Sequence, residues 1–267
     1  MDTDTTHNWQ IVVIRHGTRL TTRSDAFLNY SYYGEADAPF RVDYFMWVLR
    51  RADQCIIVDT GFSRAEAMRR DREIIIDPVL ALHELGVDVS GGAPVILTHA
   101  HYDHIGNLGA FVESDVFLAR KEWEFWGTDL SKKRLFSYFS DSAALSVLHN
   151  ADAQNRVRLF DDSIDVAPGV TVSVVGGHTP GQSIVTVSTT EGPVVLASDA
   201  VHFWEELDHD MLFQSMIDLP QSFQALELLR RVPRSQIVSG HDAGELARHN
   251  AVEGNLKGIA ATIGELC

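Results

Sequence analysis

From position 98 the chain reads Thr98-His99-Ala100-His101-Tyr102-Asp103-His104, three histidines and an aspartate within a few residues. Imidazole nitrogens and carboxylate oxygens suit zinc, and also iron, manganese or cobalt. In extended backbone, residues two apart point the same way, so His99 and His101 can aim at one ion. The chain then turns at an expected helix start, where Asp103 and His104 can face a second ion close to the first. Buried imidazoles and carboxylates need partners, and a pair of ions would supply them. Three later stretches add donors of the same kind. Gly176-Gly177-His178-Thr179-Pro180-Gly181 presents His178, Ala197-Ser198-Asp199-Ala200 presents Asp199, and Ser239-Gly240-His241-Asp242 presents His241. Such a set would activate water for hydrolysis.

These residues must be held where strands run out into loops, a common place for sites in α/β folds. Each group follows a short apolar run. Strands are expected at Gln10–Arg15, Val42–Leu49, Cys55–Asp59, Val95–Thr98, Val116–Ala119, Val157–Phe160, Val170–Val175, Ser183–Ser188, Val194–Ser198 and Gln236–Ser239. They are rich in Val and Ile and bounded by Gly, Pro and Asp. Helices are expected at Ser63–Arg70, Pro78–Leu85, Lys121–Trp126, Lys132–His149, Gln221–Arg231 and Glu245–Ile263. Pro78 and Pro220 are opening signals for two of them. Short strands interleaved with helices predict a layered α/β architecture in one domain, residues 1–267. A helical, aromatic-rich insert around 121–155 interrupts the strand rhythm. Most of its aromatics are expected to pack on the core, with Phe125, Trp126 and Phe136 the candidates to line an apolar pocket beside the site.

The chain has 267 residues, 45% of them hydrophobic, enough to bury a sizeable core. Its formal net charge of -15 argues against nucleic acid as a partner. No apolar run is long enough to span a bilayer. The polar stretch Met1–Asn8 lacks the pattern of a secretory signal, so a cytoplasmic location is the expectation. The two cysteines, Cys55 in an apolar run and Cys267, do not suggest a disulfide framework.

The order His99-x-His101-x-Asp103-His104, then His178, Asp199 and His241, resembles the metallo-β-lactamase superfamily across nearly the whole chain. Val58-Asp59-Thr60-Gly61 resembles that superfamily's N-terminal signature. The resemblance implies an α/β fold, a four-layer αββα sandwich with two mixed sheets, external helices and the site at one sheet edge. It implies one metal on His99, His101 and His178, a second on Asp103, His104 and His241, and Asp199 bridging them together with a water or hydroxide. The cofactors would be two divalent ions, zinc first among the candidates.

Within the superfamily the chain is most similar to the N-acyl-homoserine lactonase family, which includes 4-pyridoxolactonase-like enzymes. The similar stretches are Asp43-Tyr44-Phe45-Met46-Trp47, His101-Tyr102-Asp103-His104-Ile105-Gly106-Asn107 and Ser198-Asp199-Ala200 followed by His202. The implied activity is hydrolytic opening of a lactone by the bridging hydroxide, the chemistry of quorum quenching. Another ester, a thioester or a cyclic amide is the alternative substrate. Asp103 would orient the nucleophile or carry its proton. His202 stands where well-known quorum-quenching lactonases carry a substrate-contacting tyrosine, and would bind the carbonyl or protonate the leaving oxygen. Imidazole can engage polar or anionic groups that a phenol would not. A compact, aromatic or carboxylate-bearing lactone is therefore expected over a long-chain acyl-homoserine lactone. The partner expected is this small molecule, with no nucleic acid or membrane; a homodimer is left open.

A competing reading starts from Arg15-His16-Gly17-Thr18-Arg19, which matches the RHGxR motif of histidine phosphatases, with His241-Asp242 resembling their downstream His-Asp pair. Thr21 stands where that family usually carries proline, and the phosphatase reading leaves His99, His101, Asp103, His104, His178 and Asp199 without a role. Arg15 and Arg19 are expected in salt bridges or at the pocket border. A non-catalytic binding module is a third reading, and a complete ligand set argues against it.

Overall fold

The computed structural model describes residues 7–266; Cys267 and the start of the chain up to residue 6 lie outside them. Fourteen strands occur among the described residues. They are β1 (Gln10–Thr22), β2 (Pro39–Arg51), β3 (Gln54–Val58), β4 (Glu73–Ile74), β5 (Val95–Ile96), β6 (Val116–Ala119) and β7 (Val157–Phe160), then β8 (Ser163–Ala167), β9 (Val170–Val174), β10 (Ser183–Thr189), β11 (Gly192–Ser198), β12 (Ile237–Ser239), β13 (Asn250–Ala251) and β14 (Ala260–Ile263).

They form two mixed sheets. The larger runs β13-β14-β1-β2-β3-β5-β6-β7, with β4 on β1; the smaller runs β12-β11-β10-β9-β8. Strand periodicity sorts the side chains into layers. Ile11 and Val13 of β1 join Phe45, Trp47, Val58 and Ile96 against Val172, Val185, Leu196 and Val238 of the smaller sheet. Their neighbours Val12 and Ile14 point the other way, with Met46, Val48 and Ile57, against Leu82 and Leu148 of two helices. On the outer face of the smaller sheet, Ile184, Val195 and Ile237 meet Leu226 and Leu229 of the helix Leu219–Leu229. The result is helix, sheet, sheet, helix, the α/β sandwich expected.

Strands β4, β8, β13 and β14 and the helix Trp204–His209 were not expected, and three expected elements take another form, each for a local reason. β1 does not stop at Arg15 but continues to Thr22, because a bulge at His16 shifts the register between Arg15–Phe45 and Gly17–Tyr44. The expected helix Lys132–His149 is two helices, Arg134–Ser137 and Ser142–Ala153, since Asp141 caps the second by accepting from the backbone of Ala143 and Ala144. The expected helix Glu245–Ile263 is not formed. Gly254 and Gly258 adopt positive φ, and the chain returns as β14 to pair Ile263 with Ile11. The bare edge of a long, buried β1 is the stronger attraction.

Candidate metal centre

Both sheets deliver side chains to one edge. β5 leads into Thr98, whose carbonyl accepts from the Ser183 amide and whose hydroxyl lies 2.8 Å from the Ser198 hydroxyl. The two sheets are thus tied together where the histidines begin. β9, β11 and β12 lead into His178, Asp199 and His241. Gly106 and Gly240 permit the close approach of these loops. A Cβ at 106 would sit 2.6 Å from the Ser63 amide, and one at 240 would sit 2.6 Å from the Ser198 carbonyl.

The seven residues expected as ligands converge and are all buried. His99, His101, His178 and Asp199 form one group; Asp103, His104 and His241 form the other. Asp199 stands between them. Its Oδ1 lies 3.2 Å from His104 Nε2 and 3.1 Å from His241 Nε2. Its Oδ2 lies 3.2 Å from His178 Nε2 and 3.7 Å from His99 Nε2. Nδ1 of His101 is 2.9 Å from Nε2 of His178. Donor atoms on one tetrahedral zinc are spaced by about 3.3 Å. The Nε2 atoms of His99 and His104 and Oδ1 of Asp199 are buried and make no hydrogen bond of their own, so the set fits a pair of cations.

Charge agrees with that use. Burial pushes His101 down to about 4, and burial likewise holds His99 and His178 well below their ordinary value, so these imidazoles are neutral. Metal binding needs that form. Burial alone would raise the Asp199 carboxyl, but His241, His104, His202 and His99 around it hold it well below the usual carboxylate range.

A ring of buried acids aims the donors, and most of it escaped sequence reasoning. Asp59, inside the Val58–Gly61 stretch, accepts from the Thr98 amide and hydroxyl, each at 2.8 Å, and from His104 Nδ1 at 2.7 Å. The His241 Nδ1–H donates to the Asp43 carbonyl at 2.7 Å. In both histidines this turns Nε2 towards Asp199. Glu122 accepts from the amides of Ala100 and Gly181, both at 3.0 Å, joining the first histidine loop to the His178 loop. Glu206 accepts from the amides of His202, Phe203 and Phe213. The one available signal was an acid set among aromatics, as in Glu122-Trp123-Glu124-Phe125.

Other expected site residues are placed differently. Asp103 lines the cavity beside the two groups. His202 does not; it is fully buried, with Nε2 3.1 Å from Asp199 Oδ2, Nδ1 3.3 Å from Glu206, and Phe213 stacked over its ring at 4.1 Å. Burial lowers its pKa, but Asp199 and Glu206 outweigh that and raise it to about 9. Phe125 belongs to the core under the helices, and Trp126 donates to Glu122. Phe136 borders an outer chamber. The aromatics on the inner wall are Tyr44, Tyr102, Tyr138, Phe139 and Phe213, with Arg19 and Arg72 among them. The inner space is about 60 Å³ and opens to a chamber of about 600 Å³ lined by Leu28, Leu135, Phe136, Met216 and Ile217. His16 lies in the core, edge-on to Phe62 at 4.6 Å and fully buried, so a phosphoryl group has no path to it. Arg15 pairs with Asp43 at 3.1 Å. Cys55 is a free, half-buried thiol, and no helix among the described residues is long and apolar enough to cross a membrane.

Known proteins resemble the chain along most of this framework. The sequence pattern of the metallo-beta-lactamase superfamily matches residues 41–241. An N-acyl homoserine lactonase of Bacillus sp is 26% identical over 152 residues, which cover 55% of each chain. The N-acyl homoserine lactonase AttM of Azorhizobium caulinodans is 28% identical over 171 residues, covering 61% of this chain and 63% of that one. The chain thus matches little more than half the length of these relatives. Among solved structures, a quorum-quenching N-acyl homoserine lactone lactonase superposes with a TM-score of 0.69 at 19% identity, covering 89% of this chain and 93% of that one. AidC, a dizinc quorum-quenching lactonase, gives 0.69 at 16% identity over 99% of both chains.

Proposed function

The chain belongs to the metallo-beta-lactamase superfamily, and from that premise we propose that it is a dinuclear metal-dependent hydrolase that opens lactones. One observation carries the reading: the two oxygens of a single buried carboxylate, Asp199, each face a different histidine group. A bridging ligand of this kind is what a two-ion site requires. His99, His101 and His178 would hold one ion, Asp103, His104 and His241 the other, and Asp199 both. The nitrogen and oxygen donors favour zinc, with iron, manganese and cobalt also accommodated. When bound, such a pair lowers the pKa of water and polarises an ester carbonyl.

The protein's own groups do the rest. Asp103, on the cavity wall, is placed to orient the attacking water and to take up its proton. His202 lies behind Phe213 and acts through Asp199, as a positioning residue with Nε2 3.1 Å from Oδ2. The inner aromatics exclude water around the scissile bond. The segment around 121–155 serves as the helical part of a single domain that forms one side of this pocket.

The small inner space favours a compact ring. A second reading, an N-acyl homoserine lactone, is favoured by the apolar outer chamber, which has room for an acyl chain, and by the names of the relatives. The test is a hydrolysis screen over compact aromatic lactones, long-chain acyl-homoserine lactones, simple esters and lactams, using metal-reconstituted protein. Elemental analysis should find about two ions per chain. Absence of lactone hydrolysis by fully metallated protein would refute the proposal. So would phosphatase activity that depends on His16 but not on His101.

A further inference from the structure

Two arginines on the cavity wall, Arg19 and Arg72, form no ion pair among the described residues, although the Asp103 charge acts on Arg72. Arg15 pairs with Asp43, Arg23 with Glu35 and Glu205, and Arg70 with Glu66. Among the described residues, neither Arg19 nor Arg72 has a carboxylate within ion-pair distance, although Asp103 and Asp199 line the same cavity. Arg19 Nη2 donates to Thr21 Oγ1 at 2.9 Å. Arg72 Nε donates to Tyr102 Oη at 3.3 Å, and its Nη1 to the Arg70 carbonyl. A guanidinium has five N–H donors in a fixed fork, so most of the fork of each remains unused.

The backbone brings them to the same wall. β1 and β4 pair Gly17 with Ile74 and Thr18 with Glu73. Arg19 and Arg72 are the residues next beyond the last pair, both line the cavity, and both are half-buried. Two guanidiniums on the wall of a site, each with most of its donors unused, are an arrangement for a ligand anion. A carboxylate takes two parallel N–H donors from such a fork. The phenol ring of Tyr44 lies in the same wall, and Arg19 and Arg72 both act on its hydroxyl.

We propose that Arg19 and Arg72 form a carboxylate-binding subsite beside the metal centre, and that the lactone opened here carries a carboxylate on its ring. This rests on the lactonase reading above. The test has two arms. In the first, hydrolysis of γ-butyrolactone-γ-carboxylate is compared with that of its neutral carboxamide. The wild type should prefer the carboxylate by at least about tenfold in kcat/KM. Arg19→Gln and Arg72→Gln should each collapse that ratio towards one, and Arg19→Lys should restore part of it. The second arm needs no turnover: calorimetric titration of holoprotein with hydroxyglutarate and with its monoamide. The dicarboxylate should bind the wild type at least about tenfold more tightly, and the two Gln variants should lose the difference. Equal affinity for the two compounds in the wild type, or tighter binding of methylphosphonate than of the dicarboxylate, would overturn the subsite. Discrimination in the titration without hydrolysis of either lactone would leave the subsite standing and sink the lactonase reading. Hydrolysis of both lactones with equal efficiency would do the reverse.

Discussion

At the scale of single residues the centre depends on unequal members. Asp199 faces both histidine groups, so Asp199→Ala should remove both ions, whereas His241→Ala should leave close to one; elemental analysis of the two variants separates these outcomes. Asp59 touches no candidate ion, yet it fixes the His104 ring and the Thr98 backbone together. Loss of such a partner typically costs 10–100-fold in metal affinity, and Asp59→Ala should show about that loss in a competitive chelator titration. His202→Ala should keep both ions and lower kcat, because His202 supports Asp199 rather than adding a ligand. Loss of an ion in that variant would make His202 a ligand instead. The convergence of the candidate ligands was legible because a strand end forces spacing: His99 and His101 are two apart, and the later three each follow an apolar run. The pocket aromatics were not. Phe125 and Phe139 look alike in sequence, and only the break between two helices decides that Phe139 reaches the cavity while Phe125 stays in the core.

At the scale of elements, that break is held by a clamp. Arg70, fixed by Glu66 at 2.7 Å, donates to the carbonyls of Tyr138 and Ser140 and stacks over Tyr102 at 3.8 Å from the ring centre. The Tyr102 amide in turn donates to the Phe139 carbonyl. Burial works to raise the Glu66 carboxyl, but its bonds to Arg69 and Arg70 outweigh this and its pKa is lowered. A carboxyl lowered on folding contributes stability above its unfolded value, about 4.3, and loses it as pH falls through the folded value. Glu66→Gln should therefore speed hydrogen exchange of the Tyr102 amide at neutral pH. The difference from wild type should shrink on acidification below about pH 4. A difference that persists unchanged in acid would remove Glu66 charge as the cause. The sequence placed the helix Ser63–Arg70 well but could not place its partner, since residues 70 and 138 meet only through the fold. The failed helix Glu245–Ile263 has the same origin. Its local preferences were outweighed by a pairing with Ile11 that no window of neighbouring residues contains.

At the scale of the whole molecule, the donors are drawn from two sheets that otherwise meet at this edge through Thr98, Ser183 and Ser198. Ions bound only by the folded state stabilise it by mass action. Chelation should lower Tm by roughly 10 °C if the ions are present at about a thousand times their Kd; an unchanged Tm would mean that the sheets hold without them. The layered α/β class was legible in the alternation of apolar runs and helical patterns, but the strand order was not, because nothing near Ile11 in sequence reports Ile263. That closure has a consequence for how the protein is made. A ribosome releases the first strand early and its edge partner only after all seven candidate metal-binding side chains have emerged. Until then β1 carries a row of unpaired amides and carbonyls next to apolar side chains, the surface on which nascent chains stick to one another. Yield during synthesis should thus be governed by the last strand rather than by the metal centre. Replacing Ala261 and Ile263 with proline should send newly made protein into inclusion bodies even when zinc is plentiful, as a comparison of soluble fractions would reveal.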